Sequence, residues 1–169
     1  MSELTAARVK ELLGLKPHPR EGGWFHRTYE SAEHITLDRY PGPRFTSTAI
    51  FYLLEPDTFS EMHMLESDEI FHHYLGSPVE MLQLHPNGNS TRHLIGKDIE
   101  HGEQPQLVVP RGVWQGSHLL RPAQPNAFAL LGCTVSPGFE FEDYSSGAYD
   151  ELIARWPQEP ELLRALTQR

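Results

Sequence analysis

EMHMLESDEIFHHYLG, residues 61–76, crowds His63, Glu69, His72 and His73 into one short run. Imidazole and carboxylate side chains hold divalent metals and move protons near neutral pH. In an extended strand, residues of one parity share a face. Glu69, Phe71 and His73 then point one way, and His72 and Tyr74 the other; a bulge exchanges the two sets. Which histidine faces a site stays open at this point.

Outward from this run, residues from about 20 to 145 keep the same texture. Short β-rich runs include GWFHRTYES (23–31), STAIFYLL (47–54), VEMLQLHP (79–86), PQLVVP (105–110), AFALLGCTV (127–135) and FEFEDY (139–144). Turn-forming stretches cut between them: YPGPR (40–44), HPNGNS (85–90) and RPAQPN (121–126). Asn and Gly tolerate positive φ, so PNGN is a hairpin turn. In FEFEDY the phenylalanines are expected to face inward and the acids to meet water. Gly22 and Gly23 permit a turn before the first long strand. Trp24, Phe25 and Phe51 are expected in the core, and His18, His34, His85, His93 and His101, in loop-like contexts, in solvent.

Both ends are helical. Over residues 3–14, Ala6, Val9, Leu12 and Leu13 recur at helical spacing, with Ser2 or Thr5 as cap and Gly14, Pro17 and Pro19 as the stop. From about 149 to 168, two short pieces are separated by Pro157 and Pro160. Leu152, Ile153 and Trp156 make one apolar face and Leu162, Leu163 and Leu166 another, both expected on the outside of the β core. Many short strands with few helices predict an all-β sandwich or barrel.

At 169 residues the chain fits one domain, 1–169. A net charge of −9 with no basic run argues against nucleic acid. The single cysteine, Cys133, rules out an intramolecular disulfide, and its apolar surroundings predict a buried inert thiol. The first residues, MSELTAARVKELLGL, do not read as a secretory signal, and no run reaches the roughly 18 apolar residues of a membrane helix. A cytoplasmic protein is expected, with no membrane partner.

Two motifs carry a resemblance. His63 precedes Glu69 by six positions, and Gly76 follows it after six intervening residues. Downstream, VPRGVWQGS (109–117) has Pro110, Gly112 and Gln115. This is similar to the paired motifs of the cupin superfamily, His-x-His-x(3,4)-Glu-x(6)-Gly and Pro-x-Gly-x(2)-His. Two departures stand out: Leu65 occupies the place of the second histidine and Gln115 that of the third. The blocks REGGWFHRTYES, STAIFYLL, SDEIFHHYLGSPVEMLQLHPNG, GEQPQLVVPRGVWQGS and FALLGCTVSPGFEFEDY resemble, within that superfamily, the cupin-5 family, also called domain of unknown function 985.

The resemblance implies a double-stranded β-helix, the cupin jelly-roll barrel, with a short N-terminal helix and short C-terminal helices. It also implies a homodimer and a polar pocket in the barrel mouth that takes a small sugar- or nucleotide-like ligand. His63, Glu69, His72, His73, Gln115, Arg27 and Trp114 are the candidate ligand-binding residues. A divalent metal would fall to His63, Glu69 and Gln115, a short set, since such sites use three or four strong ligands. The alternatives are a weakly metal-dependent cupin enzyme, or a metal-free sugar epimerase or isomerase, the latter by similarity to RmlC-type sugar-nucleotide epimerases, cupins that work without a metal. There His63 is the base, Glu69 orients it or binds a hydroxyl, and a phenol (Tyr74, Tyr29 or Tyr52) is the acid. Arg27 or Arg44 would pair with an anionic group.

Overall fold

The computed structural model describes residues 4–121 and 123–167. The chain opens with α1 (Ala6–Leu13), β1 (Lys16–Pro17), β2 (Trp24–Glu30), β3 (His34–Ile35), β4 (Arg44–Phe45) and β5 (Thr48–Leu54). It continues through β6 (Phe59–Leu65), β7 (Asp68–Gly76), β8 (Val79–Leu84), β9 (Ser90–Ile95), β10 (Gln106–Val109), β11 (Trp114–Leu119), β12 (Ala129–Ser136) and β13 (Tyr144–Ser146). Two helices close it, α2 (Tyr149–Arg155) and α3 (Pro160–Thr167). The strands form a six-stranded sheet, β1-β2-β5-β12-β7-β10, and a five-stranded sheet, β13-β6-β11-β8-β9, while β3 and β4 pair separately. This is the cupin jelly-roll architecture.

Alternation explains the packing. On β5, Tyr52 and Leu54 join Phe71, Met81, Leu119, Ala129 and Leu131 between the sheets, while Leu53 and Phe51 face outward against Val9 and Leu15. Both faces of β5 and β12 are therefore apolar, which is why their sequences read as continuous hydrophobic runs. The other sheet is covered by α2 and α3, whose Leu152, Trp156, Leu162, Leu163 and Leu166 pack on Met62, Leu82 and Leu84.

The helix starts later than the sequence pattern suggested. Thr5 caps it, accepting from the Arg8 amide at 3.3 Å, and Gly14 ends it at φ 63; Ser2 lies outside the described residues. Leu12, expected on the apolar stripe, is 59% exposed, and Leu15 beyond the cap is buried in its place. FEFEDY also departs from expectation. Phe141–Asp143 form a single 3₁₀ turn rather than a strand, Phe141 is partly exposed, and Asp143 is buried. The cause is Arg44, also buried, whose Nε and Nη2 both donate to the Asp143 carboxylate at 2.8 Å. Neighbouring Glu142 accepts from the same guanidinium at 3.3 Å. The turn is held by this ion pair rather than by sheet pairing.

Candidate functional site

Register builds the site. In the β6–β11 pairing His63 lies opposite Gln115. Gln115 then reaches across the barrel, and its Nε2 donates to Glu69 Oε2 at 2.7 Å. Glu69 stands near the start of β7, opposite Val135 of β12. All three side chains are buried, and the apolar core fills the barrel beyond them. Burial is the main cause that lifts the Glu69 carboxyl to about 8; the nearby Glu21 carboxylate adds to the lift, while hydrogen bonds from Gln115 and the Cys133 thiol oppose it. At neutral pH this carboxyl is mostly a neutral acid.

His63 is fixed from behind. Its Nδ1 donates to the Glu61 carbonyl at 2.7 Å, and its ring stacks on Tyr144 with centroids 4.9 Å apart. Glu61 is itself anchored, its Oε1 accepting from Tyr144 Oη at 2.7 Å and Ser146 Oγ at 2.8 Å. A carbonyl only accepts, so the neutral imidazole carries its proton on Nδ1 and its lone pair on Nε2.

His63 and Glu69 line a cavity of about 140 Å³. Its other polar walls come from His18, Glu21, Arg27, Thr48 and Glu140, and its apolar walls from Phe25, Ile50, Leu65, Val135, Phe139 and Phe141. Cys133 also lines it; burial, and then the Glu69 and Glu21 carboxylates, push this thiol well above its usual range. The thiol is buried as expected, but it stands at the site. Glu21 Oε1 accepts from Ser60 Oγ at 2.5 Å. Arg27 donates to Glu30 and to the Phe139 carbonyl, each at 2.8 Å.

His18, expected in solvent, is buried. Its Nδ1 accepts from the backbone N–H of Glu21 at 2.8 Å and of Arg20 at 3.3 Å. His34 and His101 are exposed, and His85 and His93 half-buried. His18 and Glu21 escaped the sequence reading, because they sit in a loop without periodicity; Phe139 and Phe141 were expected to face inward from a strand, and reach the cavity instead from a loop and a 3₁₀ turn. The one local signal is Gly22–Gly23, whose φ of 101 and 66 turns the chain back over the barrel mouth.

Other candidates lie elsewhere. Tyr74 is 50% exposed. It covers Gly132, where an added Cβ would come within 2.3 Å of its Oη, so it belongs to the outer face of the sheet. Tyr29 is also exposed. Tyr52 is buried, donates to the Gly22 carbonyl at 2.8 Å, and is held well above its usual range by burial. His72 stacks on Tyr74 and meets Thr134 Oγ1 at 3.3 Å. His73 shares parity with Glu69 but pairs with the Ser77 carbonyl at 3.1 Å. Trp114 packs in the cluster beneath α2 and α3. Arg44 is committed to Asp143. The geometry puts His63, Glu69 and Arg27 on the cavity wall, with Gln115 behind it on Glu69, and leaves Tyr74, His72, His73 and Trp114 outside the cavity lining.

A family profile described as the cupin superfamily, DUF985, matches residues 7–146. The chain belongs to this cupin family. The cupin is 30% identical over 135 residues to the uncharacterized protein YML079W of Saccharomyces cerevisiae, spanning 75% of this chain and 67% of that one. The crystal structure of protein SO0799 from Shewanella oneidensis superimposes with a TM-score of 0.85 at 30% identity, covering 98% of this chain and 99% of that one. A hypothetical protein from Leishmania major gives a TM-score of 0.89 at 28% identity, covering 98% and 100%.

Cupins commonly bind a divalent metal, and this donor set does not fit one. Leu65 has no lone pair to give. Gln115 turns its Nε2–H toward Glu69, placing a proton where an ion shared by the two would sit. Its buried Oε1 has no hydrogen-bond partner among the described residues, but it lies on the far side of the amide. Among the described residues no group of three or more His, Cys, Asp or Glu is arranged to hold an ion. No helix among them is long and apolar enough to cross a membrane.

Proposed function

We propose that the barrel cavity binds a small polar molecule of about one ring in size, sugar-like, without a metal. The observation that carries this reading is a cavity of about 140 Å³ in which imidazole, carboxyl and guanidinium groups alternate with phenyl rings. A cavity of about 150 Å³ is known to accept benzene, whereas drug-sized ligands occupy roughly 300–1,000 Å³. A single sugar ring matches this space; a nucleotide would leave most of its atoms outside. The test is an NMR titration of ¹⁵N-labelled protein with monosaccharides and small hydroxy acids, with and without EDTA. Shifts at Ile50, Glu69, Gln115 and Cys133 that survive the chelator are expected. Shifts confined to the outer surface, or none, overturn the reading.

A second reading, a metal-free isomerase or epimerase, is favoured by one observation. A neutral carboxyl and an imidazole with its lone pair on Nε2 line the same cavity, an arrangement suited to acid–base chemistry. His63 Nε2 would take the proton from a carbon beside a carbonyl. The C–H electron pair becomes a C=C bond, and the carbonyl π pair moves to oxygen, which takes the Glu69 proton; reversal returns a proton to carbon. Uptake of deuterium from D₂O into α-hydroxy carbonyl compounds, abolished in His63→Asn, is expected of this chemistry. Uptake unchanged in that variant removes His63 as the base.

Self-association belongs to the same proposal. Tyr74 and Val108 are 50% and 49% exposed on the outer face beside β10, which is an edge strand of the six-stranded sheet. An apolar face beside an unpaired edge suits a twofold homodimer.

A further inference from the structure

The charges around the cavity do not cancel. Glu21, Glu69, Glu140 and Arg27 all line it. The Arg27 guanidinium is already matched: it donates to Glu30 and to the Phe139 carbonyl, each at 2.8 Å, and lies 4.0 Å from Glu140. An incoming anion would have to displace these partners. Glu21 is placed differently. Its side chain is only 13% exposed, and its Oε1 accepts from Ser60 Oγ. Among the described residues its ion-pair contact is to His18 Nε2, at 3.8 Å, and not to an arginine or lysine. That contact carries no positive charge. His18 Nδ1 accepts the backbone N–H groups of Arg20 and Glu21, which uses its lone pair, so the ring is neutral with its proton on Nε2. A hydroxyl and a neutral ring N–H thus face a carboxylate that they do not neutralise. The neighbouring groups register this charge, which opposes ionisation of both the Glu69 carboxyl and the Cys133 thiol. Phe25, Phe139 and Phe141 complete the wall, with Phe139 and Phe141 edge to face at 5.1 Å. Phenyl rings carry a negative face that attracts cations.

We infer that the cavity selects a ring-sized ligand carrying a protonated amine, an amino sugar or another hydroxylated ring ammonium, with the Glu21 carboxylate as its counter-charge. This rests on the reading of the cavity as a site for one small polar ring and adds the sign of the ligand's charge. The part expected of Arg27 is thereby reversed. The wall attracts a cation rather than an anion, and Arg27 holds the Phe139 segment against β2.

NMR titrations of the labelled protein at pH 7 compare three rings of similar shape. They are trans-2-aminocyclohexanol, protonated at that pH; trans-cyclohexane-1,2-diol, its neutral counterpart; and trans-2-hydroxycyclohexanecarboxylate, an anion. Wild-type protein should bind the amine about tenfold more tightly than the diol, the advantage of a charge-assisted hydrogen bond over a neutral one. The carboxylate should bind more weakly than either, and the shifts should fall at Ile50, Glu69 and Cys133. Glu21→Gln keeps the acceptor for Ser60 and removes the charge; amine and diol should then bind alike, with the affinity for the diol unchanged. A further readout needs no variant. Glu69 is faced by Glu21 from the loop, Gln115 from β11 and Cys133 from β12, with His63, Arg27 and Glu140 on the same cavity wall. An ammonium among them lowers the pH at which Glu69 loses its proton, followed by the ¹³C shift of its carboxyl, and the neutral diol does not. Four results overturn the inference while the ring-sized site stands: amine and diol binding alike in wild type, a preference that survives Glu21→Gln, amine shifts confined to the outer surface while the diol enters, or a Glu69 midpoint that the bound amine leaves in place. Entry of none of the three rings into the barrel contradicts the ring-sized reading itself.

Discussion

The proton on Glu69 is held by its surroundings. Burial and the Glu21 carboxylate raise its pKa to about 8 from 4.5, so between those values the native state keeps a proton that the unfolded chain releases. Stability is then fully present below 4.5 and is lost as pH rises through 8. Glu69→Gln keeps the polar contact and removes the ionisation. Urea unfolding at pH 5, 7 and 9 should show a flatter profile for the variant, with the variant more stable than wild type at pH 9; an unchanged profile contradicts the assignment. The metal argument is tested at the same scale. Leu65→His combined with Gln115→His supplies the two missing imidazoles, and stoichiometric zinc by elemental analysis is expected in the double variant. Failure of the double variant to take metal means that more than these two residues separates the site from a metal centre. The grouping of His63, Glu69 and Gln115 was legible through the resemblance to the paired cupin motifs, and the β6–β11 register places His63 opposite Gln115. The neutral state of Glu69 was not, because it depends on depth and on a carboxylate delivered by a distant loop.

At the level of elements, alternation and turn chemistry announced the strands, the PNGN hairpin and the three helices, since each is a local property. FEFEDY misled because its alternation mimics a strand while its last acid is claimed by Arg44, 99 positions away. The burial of His18 was equally hidden, for a loop's destination is not written in its periodicity. The Arg44–Asp143 pair fixes the segment that delivers Phe139 and Phe141 to the cavity. Arg44→Ala leaves the Asp143 carboxylate buried and unpaired, an expected loss of about 3–5 kcal/mol, measurable by urea denaturation at neutral pH. A loss below about 1 kcal/mol shows that the pair is as weak as an exposed one.

Across the whole molecule, two facing sheets close one end of the barrel with an apolar core and leave the other end to a loop, a 3₁₀ turn and a ring of polar side chains. The helices cover part of the outer faces, and Tyr74 and Val108 stand exposed beside the β10 edge. Light scattering on the eluting protein should give twice the chain mass, and Tyr74→Arg with Val108→Arg should give a monomer that retains its circular dichroism; a monomeric wild type contradicts that interface. The central claim is that the mouth of this barrel is a metal-free site for a small polar ring. A crystal structure with the tightest-binding compound tests it most directly. The account predicts the compound within hydrogen-bonding distance of His63 and Glu69, enclosed by Phe25 and Phe139, with no ion between protein and ligand. A metal ion bridging His63 and Glu69, or a compound seated outside the barrel, would contradict it.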